Sequence, residues 1–300
     1  MRSQQWSARG VPGLRAGLVA GFAGQAARLR SLLDTRGFAG WAGEQSSRAG
    51  RAELFWATAD MAAAAMDAAA DVPGFAPADL PCPDGLLLFA APLPPLRTPV
   101  LVLRGGREWA GEVPVWGLWW HGHDPATTRV EVIARRGDLP GEMVAGSELQ
   151  PVVSMVIPRD RGLVFDAAGV RVDDGRPMPR DGLGVLALLS AASVMMRQPT
   201  LTDRRRLDAR SGRAPVQGRT RESDRVTLVD LRPLRHVPGP DTDPDTGRRY
   251  RHRWVVRGHW RQQPYGPGNT LRRLQYVEPY IKGPPDAPLL ATEKVMVWRR

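Results

Sequence analysis

Fifteen consecutive residues, Gly182 to Met196, hold no charge and no proline. Coiled into a helix, such a run is apolar on nearly every side, and it is shorter than the roughly 18 residues that a membrane span needs. It therefore demands a core that surrounds it. The polar tripeptide Pro179-Arg180-Asp181 leads into it, and the spacing predicts a buried helix over 182–196 that ties neighbouring strands together. The chain can supply that core. Of its 300 residues 42% are hydrophobic and 24% charged, which excludes a disordered or fibrous protein and allows one large domain or two ordinary ones.

The first quarter reads as helical. Leu14, Leu18, Phe22, Ala26, Leu29 and Leu33 recur at three- and four-residue spacing, with Gly37 placed to end the helix. A second helix is expected from Arg51 to Asp71, with Phe55, Ala59, Ala62, Met66 and Ala69 on one side and Glu53, Asp60, Asp67 and Asp71 on a solvated side, stopped by Pro73. Arg2, Arg9 and Arg15 ahead of Ala16–Ala27 imitate a secretion signal. Gln25 and three glycines interrupt that run, which continues in helical register, so a helix of a cytoplasmic protein is expected instead. No transmembrane segment is expected. The single cysteine, Cys82, excludes an internal disulfide and a cysteine-based zinc cluster and fits a reducing cytoplasm.

Residues 72–99 are rich in proline and glycine, with Leu86 to Phe89 as a short strand, and a loose boundary is placed there. Strand-like runs follow at Val113–His121, Thr128–Ala134 and Val152–Ile157, the first two joined by a Gly122-Asp124-Pro125 turn into an antiparallel hairpin. Thr202–Arg210 is expected to extend the helical region, Arg204–Arg206 spreading around its axis. Arg210–Asp224 reads as an exposed linker. Further strands are expected at Val226–Leu231, Tyr250–Arg261, Leu271–Tyr280 and Glu293–Trp298.

Charge is distributed unevenly. Residues 197–300 carry 23 Lys and Arg against 11 Asp and Glu, a net of +12, whereas residues 1–196 carry 19 against 20. The whole surplus of the net +11 chain is C-terminal, which points to an anionic partner. Only Lys282 and Lys294 are lysines. Arginine suits bidentate contact with phosphate or carboxylate and stacking on rings.

Tyr250-Arg-His-Arg-Trp-Val-Val-Arg-Gly-His-Trp-Arg261 concentrates that chemistry. As one extended strand it would place Arg251, Arg253, Val255, Arg257, His259 and Arg261 on one face and His252, Trp254, Val256 and Trp260 on the other. The loop 262–270, with Tyr265, then turns into a strand that brings Arg272, Arg273, Tyr276 and Tyr280 close by. The candidate binding residues are Arg251, Arg253, Arg257, His259, Arg261, Tyr265, Arg272, Arg273, Tyr276 and Lys282. Aligned guanidinium groups beside tyrosines suit a nucleic-acid backbone with stacked bases, or an acidic polypeptide. A solvated strand pairing with Glu278 and Glu293 would use the same residues.

An unfamiliar nuclease would use His252 or His259 with Arg257. Their separation of seven sends the two rings to opposite faces of a regular strand. His121-Gly-His123-Asp124 has metal-capable atoms but lacks a third ligand at a recognisable spacing. Asp241-Thr-Asp243-Pro-Asp245-Thr-Gly247 opens like a calcium loop, yet its sixth position is Thr246 and its twelfth His252. The sequence contains no phosphate-binding loop, dinucleotide fingerprint, H-E-x-x-H or G-x-S-x-G, and no catalytic residue, metal or cofactor is assigned.

The string from His252 to Arg261, then Pro264-Tyr-Gly266, Glu278-Pro-Tyr-Ile-Lys-Gly-Pro284, Ala287-Pro-Leu-Leu and Glu293-Lys-Val, resembles the tail of a group of proteins from actinobacteria, their phages and other mobile elements. That group is similar to a type V-A anti-CRISPR family, the kind that suppresses accumulation of the CRISPR effector nuclease. The resemblance implies a cytoplasmic regulatory or counter-defence protein. Its target would be a nucleic acid, RNA in preference to DNA, or a nascent chain or ribonucleoprotein. A phage structural or assembly protein is the alternative of a third class. The fold expected is α+β: a helical region over 1–75, a mixed α+β region over 76–197, and a basic antiparallel β-rich module over 198–300.

Overall fold

The computed structural model describes residues 6–30, 36–166, 169–172, 183–208, 224–233, 236–238 and 251–290. The chain divides into two compact units, residues 1–231 and 232–300. The Asp-rich stretch Asp241–Gly247, the expected Glu293–Trp298 strand and nearly all of the expected Arg210–Asp224 linker lie outside the described residues.

The first unit opens with α1 (Val11–Arg30) and α2 (Arg36–Arg51), followed by strand β1 (Glu53–Ala57) and helix α3 (Ala59–Ala69). The strands β2 (Gly74–Phe75), β3 (Gly85–Arg97), β4 (Leu101–Val102) and β5 (Glu108–Trp109) come next. A meander of β6 (Glu112–Gly122), β7 (Thr127–Arg135) and β8 (Leu149–Pro158) follows, then β9 (Leu163–Asp166) and β10 (Gly169–Val172). Helix α4 (Leu183–Met196) leads into β11 (Thr202–Asp208) and β12 (Arg225–Leu231).

Among the described residues the largest sheet has the order β11-β12-β1-β3-β6-β7-β8. Strand β1 runs parallel to both neighbours, with Leu54 opposite Val226 on one side and Leu86 on the other. The remaining pairs of the sheet are antiparallel, including the expected β6–β7 hairpin. Alternation divides the core between two faces. Leu54, Trp56, Leu86, Leu88, Trp119 and Ile133 pack with Val11, Leu18 and Phe22 of α1 and Ala49 of α2. Phe55, Leu87, Leu118 and Trp120 point the other way, and Phe55 stacks on Trp120 at 5.9 Å. Gly85 has no side chain because the Trp120 ring fills that space, a Cβ there lying 2.1 Å from the ring. Helix α4 is buried from Val185 to Met196 and packs against α3, β2 and β11, as its composition required.

The architecture is α+β, with a helical start and a strand-rich middle and end. Several local expectations need correction. The helix expected over Arg51–Asp71 is a strand and a shorter helix, because Leu54-Phe55-Trp56 fills a slot between two parallel strands and Thr58 caps α3, its Oγ1 accepting from the Met61 amide at 3.3 Å. The buried face of α3 is Met61, Ala62, Ala65 and Ala68, a stripe rotated from the expected one. Gly37 lies at the start of α2 instead of ending a helix. Leu86–Phe89 belongs to a strand of 13 residues. Thr202–Asp208 is strand β11, not helix, because it completes the sheet beside β12, with Arg205 reaching Asp203 at 3.2 Å and Asp230 at 3.8 Å.

The second unit holds β13 (His236–Pro238), β14 (Trp254–Val256), β15 (His259–Tyr265), β16 (Leu271–Val277) and β17 (Tyr280–Gly283). Strand β17 is flanked by β13, parallel, and β14, antiparallel, while β15 and β16 form a separate two-stranded ribbon. Among the described residues no helix is long and apolar enough to cross a membrane.

Candidate nucleic-acid interface

The segment expected as one strand from Tyr250 to Arg261 breaks at Arg257-Gly258. Before the break, Trp254 faces Lys282 of β17; after it, His259 faces Val277 of β16. The cause is tertiary. Tyr276 is 5% exposed, its ring packs on Trp260 at a centroid distance of 5.0 Å, and its hydroxyl occupies the space above Gly258. A Cβ on Gly258 would lie 2.1 Å from that oxygen, so the chain passes under the ring only as glycine. Likewise the run Leu271–Tyr280 divides into β16 and β17.

The ribbon's register settles which side chains share a face. Opposed pairs His259–Val277, Arg261–Gln275, Gln263–Arg273 and Tyr265–Leu271 lie on one side, and Trp260–Tyr276, Gln262–Leu274 and Pro264–Arg272 on the other. The first side is exposed at His259, Arg261, Tyr265, Leu271 and Arg273. There Arg261 donates through Nη2 to Gln275 Oε1 at 3.2 Å, and the Arg273 guanidinium stands over the Tyr265 ring, 5.7 Å from its centroid. At the tip, Gly266, Gly268 and Asn269 all have positive φ, which reverses the chain within a few residues.

The candidate residues are thus distributed over several places. His259, Arg261, Tyr265 and Arg273 come together on the open side of the ribbon. Arg272 lies on the other side and donates to the Leu271 and Asn269 carbonyls. Tyr276 is part of the packed side. Arg257 is exposed at the break, and His259 Nδ1 lies 3.5 Å from its carbonyl. Arg251 is exposed ahead of β14. Arg253 is half-buried, its Nε donating to the Ala287 carbonyl at 2.7 Å while its backbone pairs with Pro288 and Leu290. Lys282 stands 6.0 Å from the Trp254 ring centroid. His252 is exposed in a bend before β14, outside the ribbon that holds His259. Gln263 and Gln275, which sequence reasoning passed over, complete the polar side of the ribbon; once the turn is placed, strand parity alone assigns them.

Residues 251–277 contain six arginines and no acid. Among the described residues none of Arg251, Arg257, Arg261, Arg272 and Arg273 forms an ion pair. Arginines without a paired carboxylate favour the approach of polyanions.

The His121-Gly-His123-Asp124 stretch closes the β6–β7 hairpin. His121 is fully buried, its ring 4.5 Å from Trp119 and its Nε2 3.7 Å from Glu131 Oε1. The His123 ring meets Arg129 Nη2 at 3.2 Å, and partial burial with that guanidinium lowers its pKa. Asp124 lies below the usual carboxylate range because Thr127 and the Ala126 amide hydrogen-bond to it. Among the described residues no three His, Cys, Asp or Glu side chains are grouped to hold a metal.

A family model described as AcrVA2-like, the anti-CRISPR type V subtype A2 family, matches residues 185–283. The matched span, a third of the chain, starts in α4 and ends with β17, so it takes in the whole ribbon. The C-terminal part is therefore similar to that family, in agreement with the resemblance of its sequence motif. No curated protein and no solved structure matches the chain.

Proposed function

We propose that the chain is a non-enzymatic counter-defence protein of a mobile element, acting in the cytoplasm to lower the accumulation of a type V-A CRISPR effector. Its basic C-terminal module engages RNA, alone or within a ribonucleoprotein that includes the nascent effector chain. One observation carries this reading: the span similar to the anti-CRISPR family contains a ribbon whose open side bears arginines and no carboxylate. Guanidinium groups bind phosphates in a bidentate manner.

The test is co-expression with a type V-A effector and its guide. Effector level on an immunoblot and plasmid interference should both fall when the chain is present. Levels and interference unchanged by the wild-type chain would overturn the reading. Filter binding of RNA across salt examines the electrostatic part. The logarithm of the affinity should fall linearly with the logarithm of salt concentration, and Arg257→Glu with Arg261→Glu should weaken binding and flatten that slope.

A further inference from the structure

We propose that the tip of the β15–β16 ribbon is a nucleobase-stacking site, built from Tyr265 and Arg273, that selects single-stranded over duplex RNA. The inference rests on the reading of the module as RNA-binding and adds to it the form of RNA and the residue that recognises it.

Three observations lead there. First, Tyr265 is a large ring left 40% exposed at the end of a strand, whereas Tyr276, the cross-strand partner of Trp260 in the same ribbon, is buried in the packing. Second, the ring is held in place. The Arg273 guanidinium stands over it at 5.7 Å and Leu271 is its cross-strand partner, so both bias its orientation before any ligand arrives. Third, the same side of the ribbon supplies what a strand with splayed bases needs. Arg261, steadied by Gln275, is available to a phosphate, and the carboxamides of Gln263 and Gln275 offer both donors and acceptors to base edges.

Geometry decides between the forms of RNA. In an A-form duplex the base faces are hidden in the stack and the major groove is too deep and narrow for side chains to read, so a ring at the ribbon's tip finds nothing to stack on. An unpaired base presents a π-face to Tyr265 and to the guanidinium plane, while phosphates further along the strand meet Arg261 on the same side. The ligand is thus a single strand crossing the open side, with one base seated at the tip.

Fluorescence anisotropy with labelled decauridylate, decaadenylate and a ten-base-pair RNA duplex tests this on the full chain. The single strands should bind at least about tenfold more tightly than the duplex, and Tyr265→Ala should weaken single-strand binding by about 5- to 150-fold while Tyr265→Phe retains it. The salt slope should stay unchanged in Tyr265→Ala, because no phosphate contact is removed. In the unaltered chain, 2-aminopurine placed within the oligoadenylate should be quenched on binding. Equal affinity for duplex and single strand, no effect of Tyr265→Ala, or no quenching would overturn the stacking site. The RNA-binding reading would survive those results if Arg257→Glu with Arg261→Glu still weakened binding and flattened its salt slope. Failure of the wild-type chain to bind any of the three RNAs would overturn both.

Discussion

Arg15 of α1 and Asp224 at the head of β12 stand 209 residues apart in the chain and meet in an ion pair of 2.7 Å. The Arg15 side chain is 8% exposed, and a second guanidinium nitrogen donates to the Ala52 carbonyl at 3.3 Å. Burial lowers the pKa of Arg15 and Asp224 opposes that shift, so the carboxylate is what makes a charge tolerable at this depth. Replacing Asp224 by Ala should destabilise the first unit by about 3 kcal/mol, the low end for a broken buried pair because the Asp224 side chain is 24% exposed. Urea denaturation measures it. Arg15→Met combined with Asp224→Leu should recover most of the loss.

Asp79 gives a pH signature of known sign. Burial raises its pKa above the ordinary 3.8, with Arg197, 3.4 Å away, only partly opposing the shift. The folded state therefore holds this proton more tightly than the unfolded state. Stability contributed by the protonated form is present below pH 3.8 and is lost as pH rises through the raised folded value. Relative to Asp79→Asn, the wild-type chain should lose stability across that window, and the two stability curves should run parallel above it. A constant difference across the whole range would contradict this.

Cys82 should be inert while the chain is folded. Burial, and then the carboxylates of Glu53 and Asp84, push its thiol up to about 12. At pH 8 about one thiol in 10⁴ is then ionised, so alkylation should run at least about a hundredfold slower in the native protein than in urea. Mass spectrometry of iodoacetamide-treated samples over time gives the two rates.

Gly258→Ala should loosen the ribbon without unfolding the first unit. The added methyl meets Tyr276, a ring already fixed against Trp260, and overpacking of this kind costs about 1–3 kcal/mol. Hydrogen exchange should accelerate over residues 259–277 and stay unchanged over β6 and β7. Full protection of the ribbon in the variant would show that the ring moves aside freely.

Legibility in the sequence followed the locality of the cause. The β6–β7 hairpin could be read because Trp119, Val130 and Val132 alternate with polar or opposite-facing neighbours around a glycine-containing turn. Helix α4 could be read because nothing but a core accepts Leu186, Leu189 and Met195 together. Strand β1 was hidden by the alanine periodicity that starts just after it. The three consecutive arginines of β11 masked a strand whose reason is the edge of β12, a partner more than twenty residues away. At the candidate site, side-chain parity placed Arg261 and His259 correctly on one face. The break at Gly258 was invisible, since it originates in Tyr276, and with it the separation of Arg251 and Arg253 from the ribbon.

The parallel placement of β1 between β3 and β12 has a consequence for a chain emerging from the ribosome. Residues 53–57 and 85–97 can pair as soon as both are made, but the other edge of β1 stays bare until residues 225–231 have been synthesised. Over that interval the nascent polypeptide carries an apolar, unpaired border of the Leu54-Phe55-Trp56 type, a surface on which holding chaperones act and at which aggregation begins. Yield in a cell is therefore governed by how quickly the later strand arrives, and slowing translation between codons 97 and 225 should send more of the product to the insoluble fraction.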